Sequence, residues 1–252
     1  MKDPETVVLL HSGGMSSRQW RKLSERLAPS YRVLAPDFLG SGSNPLWTDD
    51  KPFHFELDLE ALAPVLDGPF HVVGHSYGGL LALLLAGRHP DRVRSVAVYD
   101  PVAFGVLFAA DDAEGLKDLA RTGEDPVFLD DARGGSEAWL RAFIDYWNGP
   151  GSWDAMPQPS RDSFLRVGRK VYYEVRSLLT ERSGQDAYAA ITAPTLLMHG
   201  EKSPASARRV AQLLACWMPH ATLRSVAGAG HMGPITHADV VNGLICEHLN
   251  AV

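Results

Sequence analysis

The sequence predicts an α/β fold: a mostly parallel sheet with helices on both faces and an inserted helical cap. Three observations carry that expectation. Apolar runs of strand length alternate with stretches whose apolar residues recur at helical spacing, the pattern of a parallel sheet wrapped by helices. The strand-like runs, such as Thr6 to Leu10, are continuously apolar, as in strands covered on both faces. One of them, Phe70 to Val73, passes through Gly74-His75-Ser76-Tyr77-Gly78-Gly79 straight into a second apolar run, Leu80 to Ala86. A strand, a sharp turn and a buried helix with a serine at the apex put that hydroxyl at the end of the sheet. The turn asks for a strained backbone at Ser76. It also asks for glycine at 74 and 78, where strand and helix approach closely.

Taken in order, Thr6 to Leu10 ends in the small-residue loop His11-Ser12-Gly13-Gly14-Met15. Ser16 or Ser17 then stands where it can cap a helix with apolar positions Trp20, Leu23 and Leu27. Tyr31 to Ala35 is the next strand, followed by the turn-rich Asp37 to Ser43. Apolar residues at 55, 59, 62 and 66 predict a helix, and Val93 to Tyr99 predicts a strand ending at Asp100-Pro101. From about 103 to 188 the patterns are helical throughout. Trp139, Leu140, Phe143, Ile144 and Trp147 form one face, and Phe164, Val171, Val175 and Leu178 another, with a Gly/Pro-rich loop from 149 to 159 between them. The alternation resumes with Thr195 to Met198, a helix from Ala205 to Cys216, a strand near Thr222 to Val226 and a last helix from Ala238 to Leu249. The expected organisation is one core from residues 1–102 and 189–252, with 103–188 inserted over it.

Composition narrows the function classes. Of 252 residues, 45% are hydrophobic and 21% charged, ordinary values for a folded domain with a sizeable core. The net charge of −6 and the dispersed basic residues exclude a nucleic-acid stripe, so the expected partner is a small-molecule substrate. The longest apolar stretch is too short to span a bilayer, so no membrane partner is expected. Met1-Lys2-Asp3-Pro4 runs directly into a strand, which leaves no room for a signal peptide and points to the cytoplasm. Cys216 and Cys246, on predicted helices, read as reduced core residues. No Cys/His cluster suggests a metal, and no cofactor is expected. Oligomeric state is not legible.

A serine hydroxyl is a weak nucleophile that needs a base, and the base needs an orienting carboxylate. Among the 10 histidines, His231 in Gly228-Ala229-Gly230-His231-Met232-Gly233-Pro234 is the candidate base. It follows the last strand in a glycine-rich loop able to carry it inward. His11 reads as a loop-ordering residue, His75 as pointing away from the reaction, and His199 as either a pocket or a packing residue.

These pieces together resemble the α/β-hydrolase fold superfamily across nearly the whole chain. The matching motifs are His11-Ser12-Gly13-Gly14, Asp37-x-x-Gly40-x-Gly42-x-Asn44, Gly74-His75-Ser76-Tyr77-Gly78-Gly79 and Gly228-Ala229-Gly230-His231. The resemblance implies an oxyanion hole built from the backbone N–H groups of Gly13 and Tyr77, and a helical cap over residues 103–188. Two departures stand out. The family's usual N-terminal hairpin is trimmed, the chain starting almost directly in the equivalent of its third strand. The acid expected in a Gly-x-x-Asp pattern after Thr195–Met198 is also missing, because Gly200-Glu201-Lys202-Ser203 puts a serine there. Asp100, at the end of the preceding strand, is where some members carry the acid instead; Glu201 is the alternative acid, and Asp37 reads as structural.

The expected chemistry is a Ser76–His231–Asp100 serine hydrolase that cleaves a small, largely apolar ester through an acyl-enzyme. The aromatic residues Trp139, Phe143, Trp147, Trp153, Phe164, Tyr172 and Tyr173 motivate "apolar", although burying the cap on the core is the simpler account of most of them. Carbon–carbon, lactone, amide or cofactor-free peroxidase-like chemistry on the same residues stays open, because fold does not choose the bond. A binding protein that has lost its triad acid is the reading from a different class.

Overall fold

In the computed structural model, which describes residues 4–48 and 52–252, six parallel strands form one sheet. In chain order the elements begin with β1 (Thr6–Leu10), α1 (Arg21–Leu27), β2 (Arg32–Leu34), α2 (Phe55–Leu62), β3 (Phe70–His75), α3 (Tyr77–Arg88) and β4 (Val93–Tyr99). Helices alone follow: α4 (Gly105–Ala109), α5 (Ala113–Ala120), α6 (Glu137–Asn148), α7 (Ser152–Ala155), α8 (Gln158–Leu178) and α9 (Gln185–Ala189). The alternation then returns with β5 (Thr195–Gly200), α10 (Ala205–Trp217), β6 (Ala221–Val226), α11 (Gly233–Thr236) and α12 (Ala238–Asn250). The strand order is β2-β1-β3-β4-β5-β6.

The continuous apolar runs explain the two-sided burial. Side chains alternate across a strand, so Val8 and Leu10 of β1 join one core with α2, α3 and α10. Val7 and Leu9 join the opposite core with Leu23 and Leu27 of α1 and Val241, Ile245 and Leu249 of α12. The helices between β4 and β5 hold a third cluster of their own, in which Trp139, Trp153 and Tyr172 are fully buried.

Several local expectations are corrected. Neither Ser16 nor Ser17 caps with its side chain: residues 17–20 form a 3₁₀ turn ahead of α1, and the Ser17 amide is spent on Asp37 Oδ1 at 2.7 Å. Trp20, Leu23 and Leu27 are nevertheless buried as their spacing requires. The Gly/Pro-rich segment from 149 to 159 is only partly loop. α7 forms inside it, and α8 starts at Gln158 with Pro159 in its first turn, where a missing N–H costs no helical bond. Of the two cysteines, Cys246 packs against a core and Cys216 does not. Cys216 is exposed because the buried positions of α10 run through 207, 210, 211 and 214, and residue 216 falls off that stripe; Cys246 is half-buried, and both are free thiols. Of the expected Met1-Lys2-Asp3-Pro4 lead-in, residues 1–3 lie outside the described part. Among the described residues, no helix is long and apolar enough to cross a membrane.

Candidate active site

The turn between β3 and α3 has the geometry its glycines predict. Ser76 sits at φ 54°, ψ −117°, with its amide donating to the Tyr99 carbonyl at 2.9 Å. A Cβ on Gly74 would stand 2.3 Å from the Gly78 carbonyl oxygen, and one on Gly78 would stand 2.4 Å from the carbonyl oxygens of Leu10 and His11. Only glycine lets β1, β3 and α3 close to that distance. Asp100, one residue past β4, is likewise held at a positive φ of 44°, so the backbone strain gathers at the carboxyl ends of adjacent strands.

Ser76 Oγ lies 3.0 Å from His231 Nε2, and His231 Nδ1 lies 3.0 Å from Asp100 Oδ2. Three residues separated by up to 155 positions in sequence thus form one hydrogen-bonded row. All three are buried. Burial lowers the His231 imidazole well below its ordinary 6.5, which leaves Nε2 free to accept the serine proton. Burial pushes the Asp100 carboxyl upward, while the Ser203 hydroxyl, His199, the Gly200 backbone and Arg208 favour its charged form. Ser203, at the position where the resemblance puts an acid, donates its Oγ–H to Asp100 Oδ2 at 2.6 Å. Glu201 is not brought to the row; its Oε2 accepts the Gly228 amide at 2.7 Å near the surface. His199 is buried, its Nδ1 donating to the Gly200 carbonyl at 3.1 Å.

Gly13 and Tyr77 both line the narrow cavity of about 50 Å³ that holds Ser76. Among the described residues, neither backbone N–H is used by a hydrogen bond; Tyr77 opens α3, where no acceptor lies a turn behind. The loop carrying Gly13 is held in place by His11, which donates Nδ1–H to the Ser12 carbonyl and accepts the Phe38 amide on Nε2 at 3.1 Å. That fixes a neutral tautomer, and burial takes the His11 pKa down to about 4. Asp37 is structural as expected: it accepts from the Ser17 and Ser43 amides, and a Cβ on Gly42 (φ 58°) would collide with its carboxylate.

Some contributors carry no local signal. Gln19 accepts from the Ser12 amide and hydroxyl on Oε1 and donates through Nε2 to His75 Nδ1 at 3.0 Å. His75 Nε2–H donates to the His231 carbonyl at 2.8 Å, and Tyr99 donates to the Gly230 carbonyl at 2.8 Å. One relay of side chains therefore ties the Gly13 loop, the serine turn and the His231 loop together. The indole of Trp147 stacks on the His231 ring with centroids 3.8 Å apart. Of the seven aromatic residues singled out from sequence, Phe143 and Trp147 line the cavity around Ser76, while Trp139, Trp153 and Tyr172 are buried away from it. On the far side of Trp147 and His231 opens a wider, more polar groove of about 770 Å³.

With this geometry in view, the comparisons with known proteins agree on one family. The chain belongs to the α/β hydrolase fold family, whose model matches residues 5–238. It is similar to a pimeloyl-[acyl-carrier protein] methyl ester esterase of Neisseria meningitidis, 40% identical over 44% of this chain and 41% of that protein. A second protein of that name, from Chromobacterium violaceum, is 26% identical over 96% of this chain and 93% of the relative. The solved enol-lactonase from Burkholderia xenovorans LB400 superposes with a TM-score of 0.76 at 21% identity, over 98% of this chain and 92% of that one, and so shows the same fold. The first of these matches spans about two fifths of its relative's length.

Proposed function

We propose that this protein is a serine hydrolase that cleaves a small, largely apolar ester through an acyl-enzyme on Ser76. The observation that carries the reading is the row Ser76–His231–Asp100, closed at 3.0 Å on both sides beside two unused backbone N–H groups. His231 takes the Ser76 proton as Oγ attacks the carbonyl. Asp100 orients the imidazole and stabilises its charge. The Gly13 and Tyr77 amides receive the oxyanion, a contribution of about 3–4 kcal/mol for a well-placed donor. The imidazolium then protonates the leaving alcohol, and a water activated by His231 releases the acid.

The walls of the Ser76 cavity, among them Val102, Phe104, Phe143, Trp147 and Leu178, favour an apolar acyl chain. We assign the leaving group to the wider groove, because His231, its proton donor, lines that side. The helices of residues 103–188 act as a cap, supplying Phe143, Trp147 and Val171 to the cavity wall. The esterase names of the relatives support an ester rather than another bond. Two free thiols fit a reducing, cytoplasmic setting.

Labelling with a fluorophosphonate probe tests the reading: the native protein is expected to label and Ser76→Ala not to. Absence of label on the native protein overturns it. On a p-nitrophenyl ester, Asp100→Asn is expected to lower kcat by about three to four orders of magnitude. Glu201→Gln is expected to cost far less, and the reverse ranking would move the acid to Glu201.

A further inference from the structure

The cavity that holds Ser76 is lined mostly by apolar side chains, and a single charged residue reaches it. α8 brings Glu174 to its wall beside Gly13, with only 2% of the residue exposed. Glu174 Oε1 pairs with the ammonium of Lys170, one turn back on the same helix. That ammonium also donates to Asp58 Oδ2 at 2.7 Å, and Asp58 accepts the Tyr77 hydroxyl at 2.8 Å and the Leu39 amide at 2.9 Å. Both Asp58 oxygens are therefore taken, and the ammonium already serves two carboxylates. Glu174 Oε2 is not taken: among the described residues it has no hydrogen-bond partner, and a Cβ on Gly13 would stand 2.6 Å from it.

This arrangement is costly for the protein by itself. A buried acceptor is left unpaired, and two carboxylates share one ammonium. The orphan oxygen also leans over the loop whose amide we assign to the oxyanion, where extra negative charge opposes the reaction. Burial answers part of this by raising the Glu174 carboxyl to about 7. A hydrogen-bond donor on the bound substrate answers the rest, because it fills the empty acceptor and screens it from the oxyanion. An uncharged hydroxyl suits the apolar walls, whereas an ammonium would have to be desolvated against them.

We propose, resting on the hydrolase reading above, that Glu174 Oε2 is a specificity-determining acceptor for a hydroxyl on the acyl group, one or two carbons from the scissile carbonyl. The substrates it selects are esters of 2- or 3-hydroxy acids in preference to plain alkanoates.

The test compares phenyl butyrate, phenyl 2-hydroxybutyrate and phenyl 3-hydroxybutyrate on the full chain, with fluorophosphonate titration of Ser76 counting the active sites. The native protein is expected to favour one hydroxy ester over butyrate by about tenfold to a hundredfold in kcat/KM, the range of a hydrogen bond to a charged group. Glu174→Gln, which keeps an oxygen for Lys170, is expected to shrink that ratio, and Glu174→Leu to abolish it. A merely structural role would lower all three rates together and leave the ratio unchanged, and that result overturns the proposal. A native protein that labels but shows no hydroxy-ester preference overturns it without any variant. A native protein that does not label overturns the hydrolase reading, and this proposal falls with it.

Discussion

Ser203 stands where the resemblance expects an aspartate, and its hydroxyl donates to Asp100, the carboxylate that faces His231. On the proposed mechanism Asp100 must be ionised, yet it is fully buried, and burial alone raises its pKa. The Ser203 hydroxyl is one of the groups that pull it back. Removing that donor stabilises the neutral acid, so Ser203→Ala is expected to shift the acid limb of the kcat/KM profile to higher pH by about one unit, the equivalent of about 1.4 kcal/mol. A pH profile on a generic ester checks the direction: an unmoved or downward-shifted limb means the hydroxyl does not support the charge. His11 gives a stability prediction of the same kind. Its folded pKa of about 4 lies below the ordinary 6.5, so the unfolded chain binds a proton that the folded loop refuses. Its contribution to stability is therefore present above pH 6.5 and declines as pH falls toward 4, which urea titrations of the native protein and His11→Asn across that range would register as a pH-dependent difference.

At the scale of elements, the acid question reduces to two neighbouring strand ends. β4 and β5 pair in parallel, with Tyr99 opposite Met198, so residues just past the two ends reach the same space. Position 203 already lies within hydrogen-bond reach of Asp100. The double variant Asp100→Asn/Ser203→Asp is therefore expected to recover at least about tenfold of the activity lost in Asp100→Asn, measured as kcat/KM per labelled serine. No recovery would show that the β5 end cannot aim a carboxylate at His231 in this chain. The turn from β3 to α3 was legible residue by residue, because Gly74 and Gly78 are demanded by backbone distances inside one local motif. Cys216 shows the limit of such reading: a helix was evident, but which side of it faces the sheet depends on how α10 docks.

Across the whole molecule, Lys170 links the helices between β4 and β5 to the sheet-side helix α2 through Asp58, 112 positions away. Its ammonium also faces the rings of Phe53 and Tyr77, at 4.6 Å and 5.3 Å from their centroids. Lys170→Met strands two buried carboxylates and is expected to destabilise the fold by about 3–5 kcal/mol. Thermal unfolding checks this, with an expected fall in Tm of roughly 10 °C for a chain of this size.

The sequence by itself determined the parallel α/β layout, the serine on a strained turn and the glycine-rich loop that carries His231. Each depends on side-chain periodicity or turn chemistry confined to a few neighbouring residues, and such signals survive without knowledge of the rest of the fold. Only the tertiary structure decided which carboxylate meets His231, what steadies the imidazole and what faces the serine from above. Asp100 and His231 are 131 positions apart, and the stacking of Trp147, the relay through Gln19 and His75, and the orphan oxygen of Glu174 arise where separate elements cross. Such meetings are set by strand register and helix docking, which depend on the packing of the whole core and leave no mark in any local stretch of sequence.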